Sequence, residues 1–286
     1  MSADDHILAR DLAAEAGRRL VALRARGGEP DLLRKAGDRL GHEFLTEALA
    51  AARPGDVVLS EEGADNPARL SAGRVWIVDP LDGTREFGEA GRTDWAVHVA
   101  LWERDPDAAR GLDAARGPDR TPGPDAARGP DRTPGPDGAP GRLTAGAVAL
   151  PAQDRVLSTA NPAAPPPPEA GAPVRIVVSR TRAPRFVRDI SDLTGAELVP
   201  MGSAGAKVAA VVLGQADAYL HGGGFYEWDT AAPVAVARAA GLHASRIDGS
   251  PLRYNQPQLL MPDILVCRPA LANTLLQAIR EVTDAH

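Results

Sequence analysis

The stretch from Trp76 to Thr84 constrains the fold and chemistry of this chain most strongly, because an apolar run there ends in two aspartates and a glycine. The β-branched character of residues Val75 to Val78 predicts a buried strand. Pro80 has no backbone N–H to donate to a neighbouring strand, so we expect the strand to end at Asp79. Both aspartates would then lie on a short exposed turn.

This turn combines oxygen ligands with free backbone N–H groups. Asp79 and Asp82 offer carboxylates, which bind hard cations such as Mg²⁺. Gly83 permits a tight turn, and Thr84 is a favourable opening residue for a helix whose first N–H groups can bind an anion. A metal-assisted phosphatase needs both kinds of group. An isolated motif of this kind is also compatible with an acidic β-turn that binds no metal.

The overall charge gives no reason to expect a nucleic-acid or membrane partner. The 286 residues carry a formal net charge of -6, and the isoelectric point is about 5.6. A small anionic substrate would therefore need local positive charge or a metal ion, since the bulk field repels it. The length allows one large domain or two smaller ones.

Cysteine usage and hydropathy predict a cytoplasmic protein. Cys267 is the only cysteine, which excludes an internal disulfide, and its apolar neighbours from Ile264 to Val266 predict a buried, inert thiol. The N-terminus lacks the apolar core of a signal peptide, and no stretch approaches the roughly 18 apolar residues of a membrane span.

Two helices are predicted before the first strand. Ser2 and Asp5 have the spacing of a capping box, and the first helix would end at Gly27. A second helix is predicted to begin near Asp38 and to end at Arg53. Asp38 is either the N-cap of that helix or a carboxylate directed at the site, and the two interpretations are compatible.

Two further strands flank the central one in sequence. Residues Val57 to Ser60 predict a short buried strand that leads into Glu61 and Glu62, an acidic pair of the kind that usually lies in a solvated loop. Residues Trp95 to Trp102 alternate with a period of two, which predicts a strand. We interpret His98 in that strand as a packed or surface residue rather than a ligand.

The segment from residue 105 to 142 changes abruptly to Pro, Gly, Asp, Arg and Ala. Asp113 to Pro124 reads DAARGPDRTPGP, and Asp125 to Pro136 repeats it letter for letter. Such a segment has almost no apolar side chains to bury, so we expect a disordered insertion. Since Leu143 to Leu150 resumes a sheet pattern, the insertion would lie in a loop between two strands.

A proline-rich linker at residues 161–173 is the best candidate for a domain boundary. It would separate residues 1–160 from residues 174–286. The second part predicts three strands and a helix: strands at Val174 to Val178, Glu197 to Pro200 and Asp217 to Leu220, and a helix at Phe186 to Leu193.

Two more helix starts in the second part carry polar residues. Gly202 to Lys207 opens a helix that reaches Leu213; its spacing differs from that of a nucleoside-triphosphate P-loop. Glu227 to Pro233 opens a helix that Gly241 ends. In that helix Asp229 fits an N-cap and Pro233 would lie in the first turn.

Taken together, these motifs resemble the inositol monophosphatase superfamily of magnesium-dependent phosphatases. The resemblance is carried by Glu61-Glu62, by Asp79 to Thr84 and by Trp228 to Ala232, in that order, and it covers the chain outside the insertion. It implies an α+β fold, a layered α-β-α-β-α sandwich of the inositol monophosphatase and fructose-1,6-bisphosphatase type. Residues 1–160 would be a metal-binding half and residues 174–286 a half that closes over the substrate.

The resemblance also implies roles for individual residues. The first Mg²⁺ would be held by Glu61, Asp79 and the carbonyl of Leu81, and the second by Asp79, Asp82 and Asp229. A third ion near Glu61 is usual in such families, and Li⁺ is an expected inhibitor. Catalysis would involve Glu61 and the pair formed by Thr84 and Asp38, which orients water. The N–H groups of Gly83 and Thr84 would bind the phosphate.

The residues beyond the glycine resemble the bisphosphate nucleotidase branch, in particular the actinobacterial CysQ-type 3'-phosphoadenosine 5'-phosphate phosphatases. The resembling segments are Arg85-Glu86-Phe87, Ser179 to Arg182, Gly202 to Lys207, Glu227 to Asp229 and Asp248 to Asn255. Arg182 replaces an expected histidine, and an extra residue separates Ser203 from Lys207. By this resemblance Ser179, Ser203 and Lys207 would face the nucleotide, together with Arg180 or Arg182.

The implied function is hydrolysis of the 3'-phosphate of 3'-phosphoadenosine 5'-phosphate, to AMP and phosphate, in sulfate assimilation. Two alternatives stay open: inositol-1-monophosphatase or fructose-1,6-bisphosphatase activity, and a non-enzymatic protein that binds divalent metal or phosphate. The expected partner is a small phosphate monoester, with no nucleic acid polymer and no membrane. A homodimer is a family expectation.

Overall fold

The computed structural model describes residues 3–105, 140–181 and 183–284 of the chain. Three sequence-based predictions therefore lie outside the described residues: the capping role of Ser2, the disorder of the repeats from 113 to 136, and the contacts of Arg182. Among the helices of the described part, none combines the length and the apolar character that crossing a membrane requires.

The helices of the described residues are α1 (Ala3–Ala25), α2 (Pro30–Ala52), α3 (Thr84–Gly88), α4 (Arg185–Thr194), α5 (Ala204–Val212), α6 (Glu227–Ala239) and α7 (Ala272–Asp284). The strands are β1 (Val57–Ser60), β2 (Arg74–Asp82), β3 (Ala96–Arg104), β4 (Gly141–Leu150), β5 (Arg155–Ser158), β6 (Arg175–Ser179), β7 (Glu197–Met201), β8 (Ala218–His221), β9 (Phe225–Tyr226), β10 (His243–Ser245), β11 (Leu260–Met261) and β12 (Ile264–Cys267). The strands and the helix predicted for residues 57–60, 95–102, 143–150, 174–178, 186–193, 197–200 and 217–220 are confirmed, with small shifts of their ends.

Ten of these strands form two five-stranded sheets, one on each side of the proline-rich segment in sequence, and β9 pairs with β11 in a separate two-stranded sheet. The first has the order β1-β2-β3-β4-β5, and the second has the order β10-β12-β8-β6-β7. In the first sheet only β1 and β2 are parallel. In the second, β6 is parallel to both neighbours and β12 is antiparallel to both of its own.

The two sheets alternate with three helical layers. One core lies between α1, α2 and the first sheet. A second lies between the two sheets and contains α5 and α6. A third lies between the second sheet and the pair α4 and α7. Because each sheet is covered on both faces, the result is the expected α-β-α-β-α sandwich of the α+β class.

Strand β3 contributes to two of these cores, which explains its alternation. Val97 and Val99 face α1 and α2, whereas Ala96 and Ala100 face the core between the sheets. Both faces are therefore buried, and His98 lies on the face directed at α6. Alternate residues of β3 therefore face two different cores. They do not alternate between a core and solvent.

Strand β2 continues past the predicted end at Asp79 and reaches Asp82. The pairing with β3 shifts register between Asp79 and Asp82. Pro80 lies within this irregularity, where no ladder hydrogen bond is required of it, so the strand tolerates the proline. The prediction that both aspartates lie on an exposed turn after the strand was wrong, since both are buried.

The predicted start of the second helix was also wrong. Helix α2 begins at Pro30, and the Glu29 side chain caps it by accepting a hydrogen bond of 2.9 Å from the Leu32 N–H. Proline is favoured in the first helical turn, since its missing N–H has no partner to lose there. Asp38 consequently lies within the helix and is not its N-cap.

Helix α6 begins two residues before Asp229, which corrects a third prediction. Tyr226 is the N-cap, and Asp229 caps the helix from inside by accepting a hydrogen bond of 2.5 Å from the Tyr226 N–H. Pro233 then falls in the helix interior instead of the first turn. The carbonyl of Asp229 therefore lacks its intrahelical donor.

The ends of the predicted insertion meet in space. The N–H of Asp105 donates a hydrogen bond of 2.9 Å to the carbonyl of Pro140, and β4 begins at Gly141. The insertion thus joins the neighbouring strands β3 and β4, as expected, but residues 141 and 142 belong to the sheet. Residues 161–173 form no helix or strand, and the division into a metal-binding and a capping half stays a prediction.

Two predictions about single residues have clear outcomes. Cys267 is buried in the third core, as predicted, and burial raises the pKa of its thiol to about 12. Asp5 does not need a capping role to explain its burial, because its carboxylate forms ion pairs with Arg53 and Arg74 at 2.8 and 3.1 Å.

Candidate metal and phosphate site

Three carboxylates from distant parts of the sequence converge where β2 meets the start of α6. Asp79 and Asp82 come from the end of β2, and Asp229 comes from the first turn of α6. One oxygen of each lies within 4.8 Å of the others. Residues three apart in a regular strand point to opposite faces, so it is the register shift in β2 that directs both aspartates to the same place.

Asp79 has a buried oxygen that no hydrogen bond satisfies. Its Oδ1 accepts a hydrogen bond of 3.0 Å from the Leu81 N–H, whereas its Oδ2 has no hydrogen-bond partner within the described residues. Burial and the neighbouring carboxylates raise the pKa of Asp79 well above its usual range. A buried carboxylate oxygen without a donor is costly unless a cation binds it, so the donor set fits a hard divalent ion.

Asp82 is held as an anion by groups from two other elements. Its Oδ2 accepts hydrogen bonds from the Ser203 hydroxyl at 2.5 Å and from the Gly205 N–H at 2.7 Å. The Nε2 of His98 lies 3.2 Å from the same oxygen, without the alignment of a hydrogen bond. Burial alone would raise the pKa of Asp82, but His98, Ser203 and Gly205 together lower it to about 2.

His98 therefore belongs to the site, although it was interpreted as a packed strand residue. It is fully buried, so it is packed and not on the surface. Its Nδ1 lies 3.0 Å from the carbonyl of Trp228, and a Cβ at position 205 would lie 2.0 Å from its Nε2. The sequence signals available were an isolated histidine in an apolar strand and a glycine at 205, neither of which indicates this contact.

The surroundings of Asp229 raise the pKa of its carboxyl, whereas those of Asp82 lower it. The Oδ2 of Asp229 accepts the Tyr226 N–H, but burial and the charge of Asp82 raise its pKa to about 6. The three carboxylates of Asp79, Asp82 and Asp229 thus carry more negative charge than the surrounding protein neutralises. Metal binding would relieve this repulsion.

Glu61 lies beside this group and not within it. It follows β1, and its N–H donates to the carbonyl of Val78 at 3.3 Å. The residue is exposed, yet partial desolvation by the walls of the site and the charges of Asp229, Asp82 and Glu62 raise its pKa to about 7. Glu61 is exposed, as expected for a solvated loop, and it also lies near Asp79, as the resemblance implied.

Thr84 and Asp38 meet as the resemblance implied. The Thr84 hydroxyl lies 3.3 Å from Asp38 Oδ1 and 3.0 Å from the carbonyl of Leu81. A hydroxyl has a single proton, so it donates to one of these acceptors at a time. Burial and the charge of Glu62 raise the pKa of Asp38 to about 6. The Leu81 carbonyl keeps a second lone pair for another ligand.

Gly83 makes the turn between β2 and α3 possible. Its φ of +84° lies in the left-handed region, and a Cβ would lie 3.1 to 3.3 Å from Ser203, Asp94 and Trp95. A side chain there would be both strained and crowded. The backbone of Gly83 and Thr84 can therefore face the neighbouring cavity.

A cavity of about 500 Å³ opens beside the carboxylates. It brings together eight of the predicted site residues, which are Asp82, Gly83, Thr84, Ser179, Arg180, Ser203, Lys207 and Asp229. Asp38, Glu61, Asp79 and Leu81 do not line it. The cavity wall also contains residues that carried no predicted role, among them Arg85, Glu86, Tyr219, His221 and Phe225.

The two cations predicted to face a nucleotide already have partners in the protein. The Nζ of Lys207 donates to the carbonyls of Gly202 and Ser203 at 3.1 and 2.7 Å, and burial lowers the pKa of its ammonium. Arg180 forms ion pairs with Glu86 and Glu89 at 2.7 and 3.0 Å. Because an ammonium has three donors, Lys207 keeps one for another acceptor.

Comparisons with known proteins agree with this geometry. The chain is 47% identical over 282 residues to the 3'-phosphoadenosine 5'-phosphate phosphatase of Mycobacterium leprae (strain TN), covering 97% of this chain and 94% of the relative. It is 29% identical over 232 residues to the 3'(2'),5'-bisphosphate nucleotidase CysQ of Escherichia coli (strain K12), covering 77% of this chain and 78% of the relative.

Solved structures share the fold. The crystal structure of CysQ from Bacteroides thetaiotaomicron superposes with a TM-score of 0.69 at 25% identity, over 93% of this chain and 97% of that chain. Inositol monophosphatase-II from Staphylococcus aureus MSSA476 superposes with a TM-score of 0.70 at 20% identity, over 96% of each chain. The model of the inositol monophosphatase family matches residues 9–106 and 141–284. The chain therefore belongs to the inositol monophosphatase family.

Proposed function

We propose that this chain is a Mg²⁺-dependent phosphomonoester hydrolase that converts 3'-phosphoadenosine 5'-phosphate to AMP and phosphate, a reaction that serves sulfate assimilation. The observation that carries the proposal is the group formed by Asp79, Asp82 and Asp229 beside a cavity that Thr84 lines. The substrate is suggested by the Mycobacterium leprae relative, which is a 3'-phosphoadenosine 5'-phosphate phosphatase.

Mg²⁺ would be held by the carboxylates of Asp79, Asp82 and Asp229, with Glu61 and the Leu81 carbonyl completing the donor set. When bound, Mg²⁺ polarises the phosphate and neutralises charge that develops on its oxygens. Two ions, or three with one near Glu61, are part of the proposal, as are inhibition by Li⁺, a homodimer and a cytoplasmic location. The number of ions, the inhibition and the homodimer rest on family resemblance, whereas the location rests on the cysteine usage and hydropathy of the sequence.

Thr84 and Asp38 would handle the proton of the attacking water. With its proton directed at Asp38 or at the Leu81 carbonyl, the Thr84 oxygen presents lone pairs that can accept a hydrogen bond from water. The carboxyl of Asp38, with a pKa of about 6, is ionised at neutral pH and can accept a proton through Thr84. The Asp38–Thr84 pair thus acts as a general base and as an orienting group.

The remaining residues of the cavity would hold the rest of the substrate. Gly83 and Thr84 would donate backbone N–H groups to the scissile phosphate. Ser179, Arg180, Ser203 and Lys207 would face the nucleotide and its 5'-phosphate. Since the carboxylates act on any phosphate monoester alike, discrimination between substrates must come from such contacts.

The deciding experiment is phosphate release with Mg²⁺ from 3'-phosphoadenosine 5'-phosphate, inositol 1-phosphate and fructose 1,6-bisphosphate. We expect the highest kcat/KM for the bisphosphate nucleotide and no turnover in EDTA. Asp82→Asn is the inactive control, because it removes one negative charge from the site and keeps its shape. A higher kcat/KM for either sugar phosphate would assign the chain to that activity, and no release from any substrate would favour a metal-binding or phosphate-binding protein.

A further inference from the structure

A buried polar network surrounds the first residue of α6. Glu227 is fully buried. Its Oε2 accepts a hydrogen bond of 2.6 Å from the Asn255 N–H, and its Oε1 accepts one of 2.7 Å from the Gln256 N–H. A single carboxylate therefore satisfies two consecutive backbone donors of the segment 255–256.

The same segment is held from its other side by Arg69, which is also buried. Its Nη1 donates to Asn255 Oδ1 at 3.0 Å and to the Gln256 carbonyl at 2.9 Å. The Asn255 amide donates back to the Arg69 carbonyl at 3.0 Å. The rest of the guanidinium pairs with Asp65. Asn255 thus links the two residues, because its side chain bonds Arg69 and its backbone N–H bonds Glu227.

Asn255 adopts a backbone conformation that suits this junction. Its φ of +58° lies in the left-handed region, which asparagine adopts more readily than most residues with a side chain. Glycine would permit the conformation but would lose both side-chain bonds to Arg69. The position therefore needs a residue that combines a left-handed backbone with a side chain that both donates and accepts.

The network connects two segments that lead to the carboxylate site. Arg69 lies in the 3₁₀ turn Pro67–Leu70, in the segment that follows Glu61. Glu227 lies two residues before Asp229 on the same helical turn. Since Asp229 is itself bonded to the Tyr226 N–H, its carboxylate follows any movement of the backbone at 226–229.

We propose that Glu227 is a positioning residue which, together with Arg69 and Asn255, fixes the start of α6 and so holds Asp229 against Asp79 and Asp82. The inference rests on the proposed metal site and gives a role to Glu227, which the sequence did not assign. Metal coordination requires ligands placed to within about 0.5 Å. A network that ties Glu227 through residues 255 and 256 to Arg69 supplies this placement for Asp229.

The test is Glu227→Gln, with Mn²⁺ affinity of the full-length protein measured by titration calorimetry. Glutamine keeps the shape but turns an N–H group toward one of the two backbone donors, which leaves that donor unsatisfied. We expect Mn²⁺ affinity to fall by about tenfold, the lower end of the loss seen when a direct partner of a metal ligand is removed, because Glu227 acts on Asp229 only through the backbone. In the phosphatase assay, the Mg²⁺ concentration for half-maximal rate should rise similarly, while kcat at saturating Mg²⁺ stays within about twofold of wild type.

Asp217→Asn is the matched control. Asp217 is also a buried carboxylate; it accepts the Arg175 N–H at 3.0 Å and pairs with the buried Arg268 at 2.9 Å, but it does not line the cavity. We expect this variant to lower Tm without changing Mn²⁺ affinity. Arg69→Lys, which keeps the charge and loses the forked geometry, should reproduce the effect of Glu227→Gln if the latter folds poorly.

The outcomes separate this inference from the proposed function. A Glu227→Gln protein with lowered Tm and unchanged Mn²⁺ affinity would overturn the positioning role. Loss of Mn²⁺ affinity in a protein whose wild type releases no phosphate would support the positioning role and reject the enzyme. Wild-type protein that binds no Mn²⁺ would overturn both.

Discussion

The hydroxyl of Thr84 lies 3.3 Å from Oδ1 of Asp38, although the two residues are 46 positions apart in the sequence. Helix α2 carries Asp38 on the face that meets the turn between β2 and α3. Close packing holds this approach, because a Cβ at Gly37 would lie 2.8 Å from Leu81 and Phe87, and one at Gly41 would lie 2.9 Å from Pro80. The glycines on either side of Asp38 let the helix come near enough for the pair to form.

Asp38→Asn should lower kcat by about 10²- to 10⁴-fold, the range that a general base contributes. The amide can still accept the Thr84 hydroxyl, so the fold and the Mn²⁺ affinity should be retained. Steady-state kinetics at saturating Mg²⁺ measure the effect. In wild type the rate should rise with pH through about 6, as Asp38 loses its proton, and this rise should be absent from the variant. A variant with the wild-type rate would remove Asp38 from the mechanism.

The metal-free protein should lose stability as pH rises from 5 to 8. Burial raises the pKa of Asp38 and Asp229 to about 6 and that of Glu227 to about 7 in the folded state. These values lie above those of the unfolded chain, so between pH 4 and 7 the folded state binds more protons. Stability then falls as pH rises through the folded pKa values.

Thermal unfolding in EDTA across this pH range measures the loss. We expect a fall in Tm of a few degrees or more, since about 1 kcal/mol shifts Tm by about 2–4 °C in proteins of 150–250 residues. Added Mg²⁺ should raise Tm more at pH 8 than at pH 5, because protons compete with the ion for the carboxylates. A Tm that rises with pH in EDTA would contradict the assigned pKa directions.

Lys207→Ala should separate substrates that carry a second phosphate from those that do not. The third donor of its ammonium is left for a 5'-phosphate, and a charge-assisted hydrogen bond contributes about 1.5–3 kcal/mol. We expect kcat/KM for 3'-phosphoadenosine 5'-phosphate to fall by about tenfold or more, and that for inositol 1-phosphate to change much less. Equal losses on both substrates would mean that Lys207 acts only by holding the carbonyls of Gly202 and Ser203.

Deletion of residues 113–136 should leave Tm and kcat nearly unchanged. The two repeats have few apolar side chains to bury, and loop length changes the free energy of folding only slowly. The hydrogen bond between Asp105 and Pro140 closes the base of the loop, so the strands on both sides need not move. A loss of several degrees in Tm, or of activity, would show that the insertion contacts the folded protein.

Most of the strands, and the residue types of the candidate site, could be predicted from the sequence alone. Strand patterns such as Val57 to Ser60 depend on residues close together in the chain, so they could be identified directly. The aspartates, Gly83 and Thr84 form a motif whose residue types permit metal and phosphate binding, and Glu61-Glu62 and Trp228 to Ala232 made that interpretation specific. The resemblance to the inositol monophosphatase superfamily then indicated the layered sandwich.

The boundaries of elements at the site were predicted less well, for a local reason. Pro80 and Asp38 carry signals that usually end or begin an element, yet β2 runs through the proline and α2 runs through the aspartate. Strand β2 continues because its pairing with β3 shifts register at the proline. Helix α2 begins earlier because Glu29 and Pro30 supply its start signal.

Which side chains meet is evident only in the folded structure. His98 reaches Asp82 because the face of β3 that carries it packs against α6. Lys207 turns to carbonyls of its own helix start, and Glu227 reaches residues 255 and 256. These contacts depend on how the sheets and helices pack, and several of them join residues that are far apart in the sequence. Residue types alone do not show which distant residues will meet. Burial then sets the raised and lowered pKa values, since desolvation exists only in the folded chain.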